Sequence, residues 1–214
     1  MEGQGMVSIF RTVASFAVVL FAGSLAASAH QATFTVAGKT FVFRIAPEQN
    51  AGYDRDDWPH WDENLGGGCF TVRDKALAEE SFVPVETVTN NAGRCRVVRG
   101  LWNDPYTGLT FTESSDVDID HVVPLKEAHG SGGHAWTRER RRAYANHLSY
   151  SHHLIVVDDH ENQAVKSDRD PAGYLPVASF QCEYVEIWLR IKRTWGLNMD
   201  QAEVDAINAV LVGC

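Results

Sequence analysis

Asp118-Ile119-Asp120-His121-Val122-Val123-Pro124-Leu125, His152-His153-Leu154-Ile155-Val156-Val157 and Glu161-Asn162-Gln163-Ala164-Val165-Lys166-Ser167-Asp168-Arg169-Asp170-Pro171 decide how this chain folds. The first stretch, taken from Val117, reads as one strand over 117–125 that Pro124 ends, because proline has no N–H to give a ladder. Leu154 to Val157 is a short apolar run without alternation, the pattern of a strand buried on both faces. Asp158 or Asp159 then caps a helix that runs to about Lys166. Strand, loop, strand, helix is the outline of a ββα unit able to hold one metal ion.

Outward from this core, the rest of the chain fills in one α+β domain. Residues 31–46 alternate through Phe34, Val36, Phe41, Phe43 and Ile45 around Gly38-Lys39, which predicts an N-terminal β-hairpin. Residues 47–70 are polar, aromatic and rich in Gly and Asp, and read as an ordered loop pinned by a disulfide. Residues 71–80 predict a short helix, and 94–112 a second hairpin turning at Asp104-Pro105-Tyr106-Thr107-Gly108. Gly130 to Gly133 reads as a flexible loop, and Thr137 caps a helix to about Leu148. Phe180, Tyr184, Ile187, Trp188 and Ile191 recur at helical spacing over 178–195, and Gly196 stops that helix. Asp200 with Glu203 forms a capping box for a last helix. There is no internal repeat and no clear linker.

The chain has 214 residues, 19 Lys+Arg and 28 Asp+Glu, for a net charge of −9. This balance excludes a protein that coats nucleic acid through its overall charge, though not one with a local basic groove. Hydrophobic content of 44%, with six Trp, six Tyr and ten Phe, is enough for a real core and excludes wholesale disorder. Val13 to Ala26 is apolar and too short to span a bilayer comfortably. Ala27-Ser28-Ala29 follows with the small-x-small pattern of a signal-peptidase site. Residues 1–29 are therefore expected to be a leader cleaved after Ala29, releasing a secreted chain, 30–214, without membrane attachment. All four cysteines lie after that point, and an even count in an exported chain points to disulfides. Of the three pairings, Cys69–Cys95 and Cys182–Cys214 close local loops of about thirty residues, each worth about 3 kcal/mol.

The candidate chemistry gathers in the three opening stretches. Breaking a phosphodiester needs a deprotonated water and positive charge near the phosphate and leaving oxygen. A histidine, with an ordinary pKa near about 6.5, suits the first task. A hard divalent ion suits the second; Mg²⁺ takes few protein oxygens and keeps several waters. Asp120 and Asn162 offer a carboxylate and an amide oxygen, His121 the base, and Lys166, one turn after Asn162, a cation for a phosphate. Neighbours in a strand point to opposite faces, so Asp120 and His121 share a site only at a strand end or a bend. By default the Arg138, Arg140, Arg141 and Arg142 run is a solvated helix face, and His129, His134, His147, His152 and His160 are solvated or packing residues.

Asp-His-x-x-Pro-Leu, the short apolar strand, and Asn-x-x-x-Lys-Ser-Asp-x-Asp-Pro together resemble the HNH endonucleases, in particular the branch with the C-terminal domain of GmrSD-type restriction enzymes and many secreted proteins. Tyr53-Asp54-Arg55, Gly68-Cys69, Gly100-x-Trp102, Pro105-Tyr106-Thr107-Gly108 and the Cys182/Cys214 frame are similar to secreted members. The resemblance implies a ββα-metal (HNH, or His-Me finger) core at about 117–171. It makes His121 the general base and Asp120 and Asn162 the ligands of one divalent ion, Mg²⁺ first, with Mn²⁺ or Zn²⁺ as alternatives. The middle position of the triad falls on His153, where asparagine is usual; a histidine there can brace the loop through one ring nitrogen or ligate a softer metal. The resemblance implies phosphodiester hydrolysis leaving 5′-phosphate. DNA is expected as substrate ahead of RNA, with low sequence preference because no recognition module such as a zinc finger or helix-turn-helix is appended, and the protein is expected to be a monomer. The rival expectation is a disulfide-braced extracellular binding module that keeps the fold without turnover. A zinc peptidase has no supporting motif.

Overall fold

A computed structural model describes residues 1, 30–150 and 152–214; the expected leader and its cleavage site fall on residues outside the described ones. Two strands, β1 (Gln31–Val36) and β2 (Lys39–Arg44), pair antiparallel and bury Ala32, Phe34, Phe41 and Phe43. The turn lies at Ala37-Gly38, one residue earlier than the Gly38-Lys39 expected, and both residues have positive φ (48° and 73°). That is the backbone a two-residue hairpin with the right-handed strand twist requires.

Thr71 caps α1 (Val72–Glu80) by accepting from the Asp74 amide at 3.2 Å. Strands β3 (Glu86–Thr89), β4 (Cys95–Asn103) and β5 (Thr110–Glu113) form an antiparallel sheet in that order. The hairpin turning at 104–108 is therefore present. Strand β3 was not expected: all four of its residues are exposed, so it carries no apolar period for sequence reasoning to detect.

Strands β6 (Val117–His121) and β7 (Leu154–Asp158) pair antiparallel, with Ile119 opposite Val156 and Asp120 opposite Ile155. Both faces are covered, which is why β7 is apolar from Leu154 to Val157. Val117, Ile119, Leu154 and Val156 pack with α1 and β4 through Val72, Leu77, Val97 and Trp102. Ile155 and Val157 belong to the larger core with the hairpin and the C-terminal helices.

Strand β6 stops at His121 rather than running to Leu125. Pro124 precedes a helix, α2 (Leu125–Gly130), which the sequence did not reveal. Nor is 130–133 a flexible loop. A Cβ at Gly133 would stand 2.5 Å from the Ala128 carbonyl oxygen, so glycine serves close backbone approach there. Thr137 caps α3 (Arg138–Ala145), which ends three residues short of Leu148 because Asn146 leaves the helix. The Asn146 amide donates to the Pro59 and Arg142 carbonyls, both at 2.7 Å, and its Oδ1 accepts from the Asp62 amide.

After β7, Asp158 accepts from the Glu161 amide at 2.7 Å, as a cap should. The helix it starts is π-type over Glu161–Lys166, closed by a bond of 2.8 Å from the Ser167 amide to the Asn162 carbonyl. Such wide turns occur mostly as single turns, frequently at functional sites. Then follow α4 (Gln181–Trp195), stopped by Gly196 at φ 70°, and α5 (Gln201–Leu211). Asp200 caps α5 by accepting from the Glu203 amide, but Glu203 does not reach back to complete a box. Its carboxylate turns inward to Lys192 at 2.6 Å.

Both expected disulfides are present, Cys69–Cys95 and Cys182–Cys214. The first ties the 47–70 loop to β4; the second ties the start of α4 to the chain end. The molecule is thus a mixed α and β structure braced by two disulfides. Among the described residues, no helix is long and apolar enough to cross a membrane.

Candidate active site

A cleft of about 360 Å³ opens at the end of β6. Its walls come from β6 (Asp118, Asp120, His121), the start of α2, the π-turn (Asn162, Gln163, then Ser167, Asp168) and Arg55 of the 47–70 loop. Asp118 and Asp120 lie two apart in a strand, so they share a face. His121 is the last residue of that strand, which lets it border the same cleft despite the alternation.

His121 is 5% exposed. Its Nε2 lies 2.9 Å from the Ala145 carbonyl at the end of α3. A carbonyl can only accept, so Nε2 carries the proton and Nδ1 keeps a lone pair. No protein group among the described residues bonds to Nδ1. Burial is the main reason its pKa falls to about 3; the charges of Arg55 and Lys166 add to this, and the Ala145 bond opposes it. The imidazole is therefore neutral and held in one tautomer. Trp61, at φ 55°, sets its ring 5.4 Å from that of His121, and Tyr144 stacks at 6.5 Å.

Asp120 has both carboxylate oxygens engaged. Tyr106 donates to Oδ2 at 2.6 Å, and Lys166 Nζ approaches Oδ1 and Oδ2 at 3.1 and 3.0 Å. Burial raises the Asp120 pKa, with Lys166 and Tyr106 pulling the other way. The Asn162 amide donates to Asp118 Oδ2 at 3.4 Å, and Gln163 donates to the same oxygen at 2.8 Å. Asn162 and Lys166 both turn toward β6, as their spacing predicts. Lys166, however, is completely buried, and also donates to the His121 carbonyl at 3.3 Å. It holds Asp120 and does not present its charge to the cleft, which corrects the expectation that it reaches a phosphate.

His153 does not line the cleft. It lies behind His121, with ring centroids 6.4 Å apart, and its Nε2 donates to the Tyr144 carbonyl at 2.8 Å. Its Nδ1 is buried without a hydrogen-bond partner among the described residues, and burial holds the ring well below its usual pKa. This is a bracing geometry; among the described residues His153 belongs to no group of carboxylates, histidines or thiolates that could share a metal. Among the described residues, no group of three His, Cys, Asp or Glu side chains converges as a metal cluster. The donors facing the cleft are hard oxygens, the carboxylates of Asp118, Asp120 and Asp168 and the amides of Asn162 and Gln163. They fit an ion that keeps several waters, as Mg²⁺ does, better than Zn²⁺.

Sequence reasoning missed Asp118 and Tyr106 as contributors. Asp118 was detectable, since a carboxylate two residues before Asp120 in a strand must face the same way. Tyr106 was not, because its contact with Asp120 comes from the turn between β4 and β5. The α3 arginines form an exposed face, as expected, at Arg138, Arg140 and Arg142, and each also has a protein partner. Arg138 donates to the Asp56 carbonyl, Arg141 pairs with Asp57 at 3.3 Å, Arg142 with Asp62, and Arg140 donates to the Trp195 carbonyl. Three of the four fasten the loop that carries Arg55.

A protein of Arthroderma benhamiae described as an uncharacterized secreted protein is 39% identical over 164 residues, covering 76% of each chain. No solved structure matches significantly. The family described as GmrSD restriction endonucleases, C-terminal domain, matches residues 70–210, a span that contains β6, β7, the π-turn and all of the cleft except Arg55. The chain belongs to that family.

Proposed function

We propose that the protein is a secreted, divalent-metal-dependent nuclease of the HNH type, with β6, β7 and the π-turn as its ββα-metal core. The observation that carries this reading is the convergence of a neutral, tautomer-locked imidazole with Asp118, Asp120 and Asn162 on one cleft. Asp120 and Asn162, joined by Asp118, would hold the ion, which supplies positive charge to the phosphate and the leaving oxygen. His121 Nδ1 takes the proton from the attacking water. Ala145 keeps the ring oriented and stabilises the imidazolium that forms, because Nε2–H donates more strongly once the ring is charged. Tyr106 and Lys166 fix the Asp120 carboxylate. Trp61 and Tyr144 restrict the imidazole plane. DNA is the proposed substrate ahead of RNA, with products bearing 5′-phosphate. The two disulfides and the secreted relative support an extracellular site of action.

A second reading is a binding module without turnover. It is favoured by the neutralisation of Asp120 by Lys166, which lessens its demand for a metal. Incubation of residues 30–214 with plasmid, linear DNA and RNA decides between them. Cleavage is expected, abolished by EDTA and restored by Mg²⁺ or Mn²⁺, with His121→Ala lowering the rate by at least a hundredfold. A protein that leaves all three substrates intact in every metal would overturn the nuclease reading.

A further inference from the structure

We infer that Arg55 is the residue that grips the substrate phosphate next to the bond to be broken. The inference rests on the nuclease reading and adds a binding residue to it.

The charge distribution of the cleft requires such a group. Three carboxylates, Asp118, Asp120 and Asp168, line it, and they repel a phosphodiester. Among the described lysines and arginines, Arg55 is the one that borders it. Lys166, four residues after Asn162, is sealed behind Asp120 at 0% exposure. The arginines of α3 face away and are bonded to backbone or carboxylate oxygens. With Asp120 paired to Lys166, the charges of Asp118 and Asp168 are left, and one guanidinium with one divalent ion outweighs them, so that a phosphate can enter without net repulsion.

Arg55 is also held in place for this task. It opens a short 3₁₀ turn, Arg55–Asp57, that Asp54 caps by accepting from the Asp56 amide at 2.9 Å. Asp57 is fastened by Arg141, and the next residue, Trp58, is fully buried. The turn is anchored on both sides while the Arg55 side chain remains exposed. That side chain lines the same cleft as His121. A planar guanidinium there meets the two non-bridging oxygens of a phosphodiester with paired N–H donors, a geometry that an ammonium does not reproduce.

The test measures binding apart from turnover. In a His121→Ala background with Mg²⁺, a fluorescein-labelled DNA duplex is titrated by anisotropy at several salt concentrations. Arg55→Ala is expected to raise Kd about tenfold and to reduce the slope of log Kd against log salt by about one. Arg55→Lys restores the slope but only part of the affinity. Arg140→Ala, which removes an equal charge away from the cleft, changes Kd less than about twofold. Arg55→Ala with parental Kd and slope overturns the inference, and so does an equal loss in Arg140→Ala, which signals a diffuse charge effect. If the parent cuts plasmid while Arg55→Ala binds normally, the role of Arg55 alone fails. If the parent neither binds nor cuts, the nuclease reading fails and this inference with it. Arg55→Gln, which keeps much of the aliphatic stem, repeats the measurement if Arg55→Ala does not fold.

Discussion

Lys166 and Asp120 carry opposite charges where water does not reach: their side chains are 0% and 6% exposed. Removing one partner from such a pair leaves a buried charge without compensation, which costs about 3–5 kcal/mol. Lys166→Met should therefore lower unfolding free energy by that amount in a urea titration. A loss below about 1 kcal/mol would show that Asp120 is not ionised in the fold. Tyr106→Phe removes a hydrogen bond to the same carboxylate and should cost about 1.5–3 kcal/mol, with a weaker metal response than in the parent. The consequence for function is that Asp120 is shaped from behind by two buried groups while its open side remains in the cleft.

At the scale of elements, α3 acts as a fastener. Its arginines reach Asp57 and Asp62, and Asn146 beyond its end reaches Asp62 and Pro59. Arg142 is 44% exposed, so its bond to Asp62 adds little to global stability, within about 1 kcal/mol. Arg142→Ala should instead speed hydrogen exchange at amides of the 54–64 loop while leaving those of α4 unchanged. Unchanged exchange in the loop would mean that Arg138, Arg141, Asn146 and Trp58 secure it without Arg142. The C-terminal disulfide fastens more tightly. Replacing Cys182 and Cys214 together by serine should cost about 3 kcal/mol, measured by thermal unfolding against the parent.

Across the whole molecule, several buried carboxylates couple stability to pH. Glu80, at the end of α1, accepts from the Val156 amide at 2.9 Å and shares a small cavity with Glu79 and His147. Burial pushes its pKa up to about 8, against an ordinary value of 4.5. Between those values the folded state holds a proton that the unfolded chain has released. Stability from this group is thus full below pH 4.5, falls as pH rises toward 8, and then levels. Glu80→Gln keeps the hydrogen bond and cannot ionise. Its Tm should match the parent near pH 5, exceed it increasingly toward pH 8 and by a constant margin above that; a difference constant from pH 5 upward would contradict the assignment. Elsewhere Lys192 lies fully buried between Glu127 and Glu203 at 2.5 and 2.6 Å, joining α2, α4 and α5 around one ammonium. That attraction holds Glu127 ionised, while burial favours the protonated form of Glu203.

What the chain dictates by itself is its local periodicity and its short-range caps. The alternation of 31–46, the run at 154–157, the stripe of α4, Thr137 and Asp200 as caps, and both disulfide loops were legible, because each depends on residues a few positions apart or on a count. The candidate site was half legible: Asp120, His121 and Asn162 border one cleft. The inward burial of Lys166, the hold of Tyr106 on Asp120, the loop-fastening arginines and the approach of Arg55 were decided only by tertiary structure. Each is a contact between segments 14 to 84 residues apart, or the solvent access of a single side chain. Neither has a period or a spacing in sequence, since both are settled by which elements pack together and how deeply.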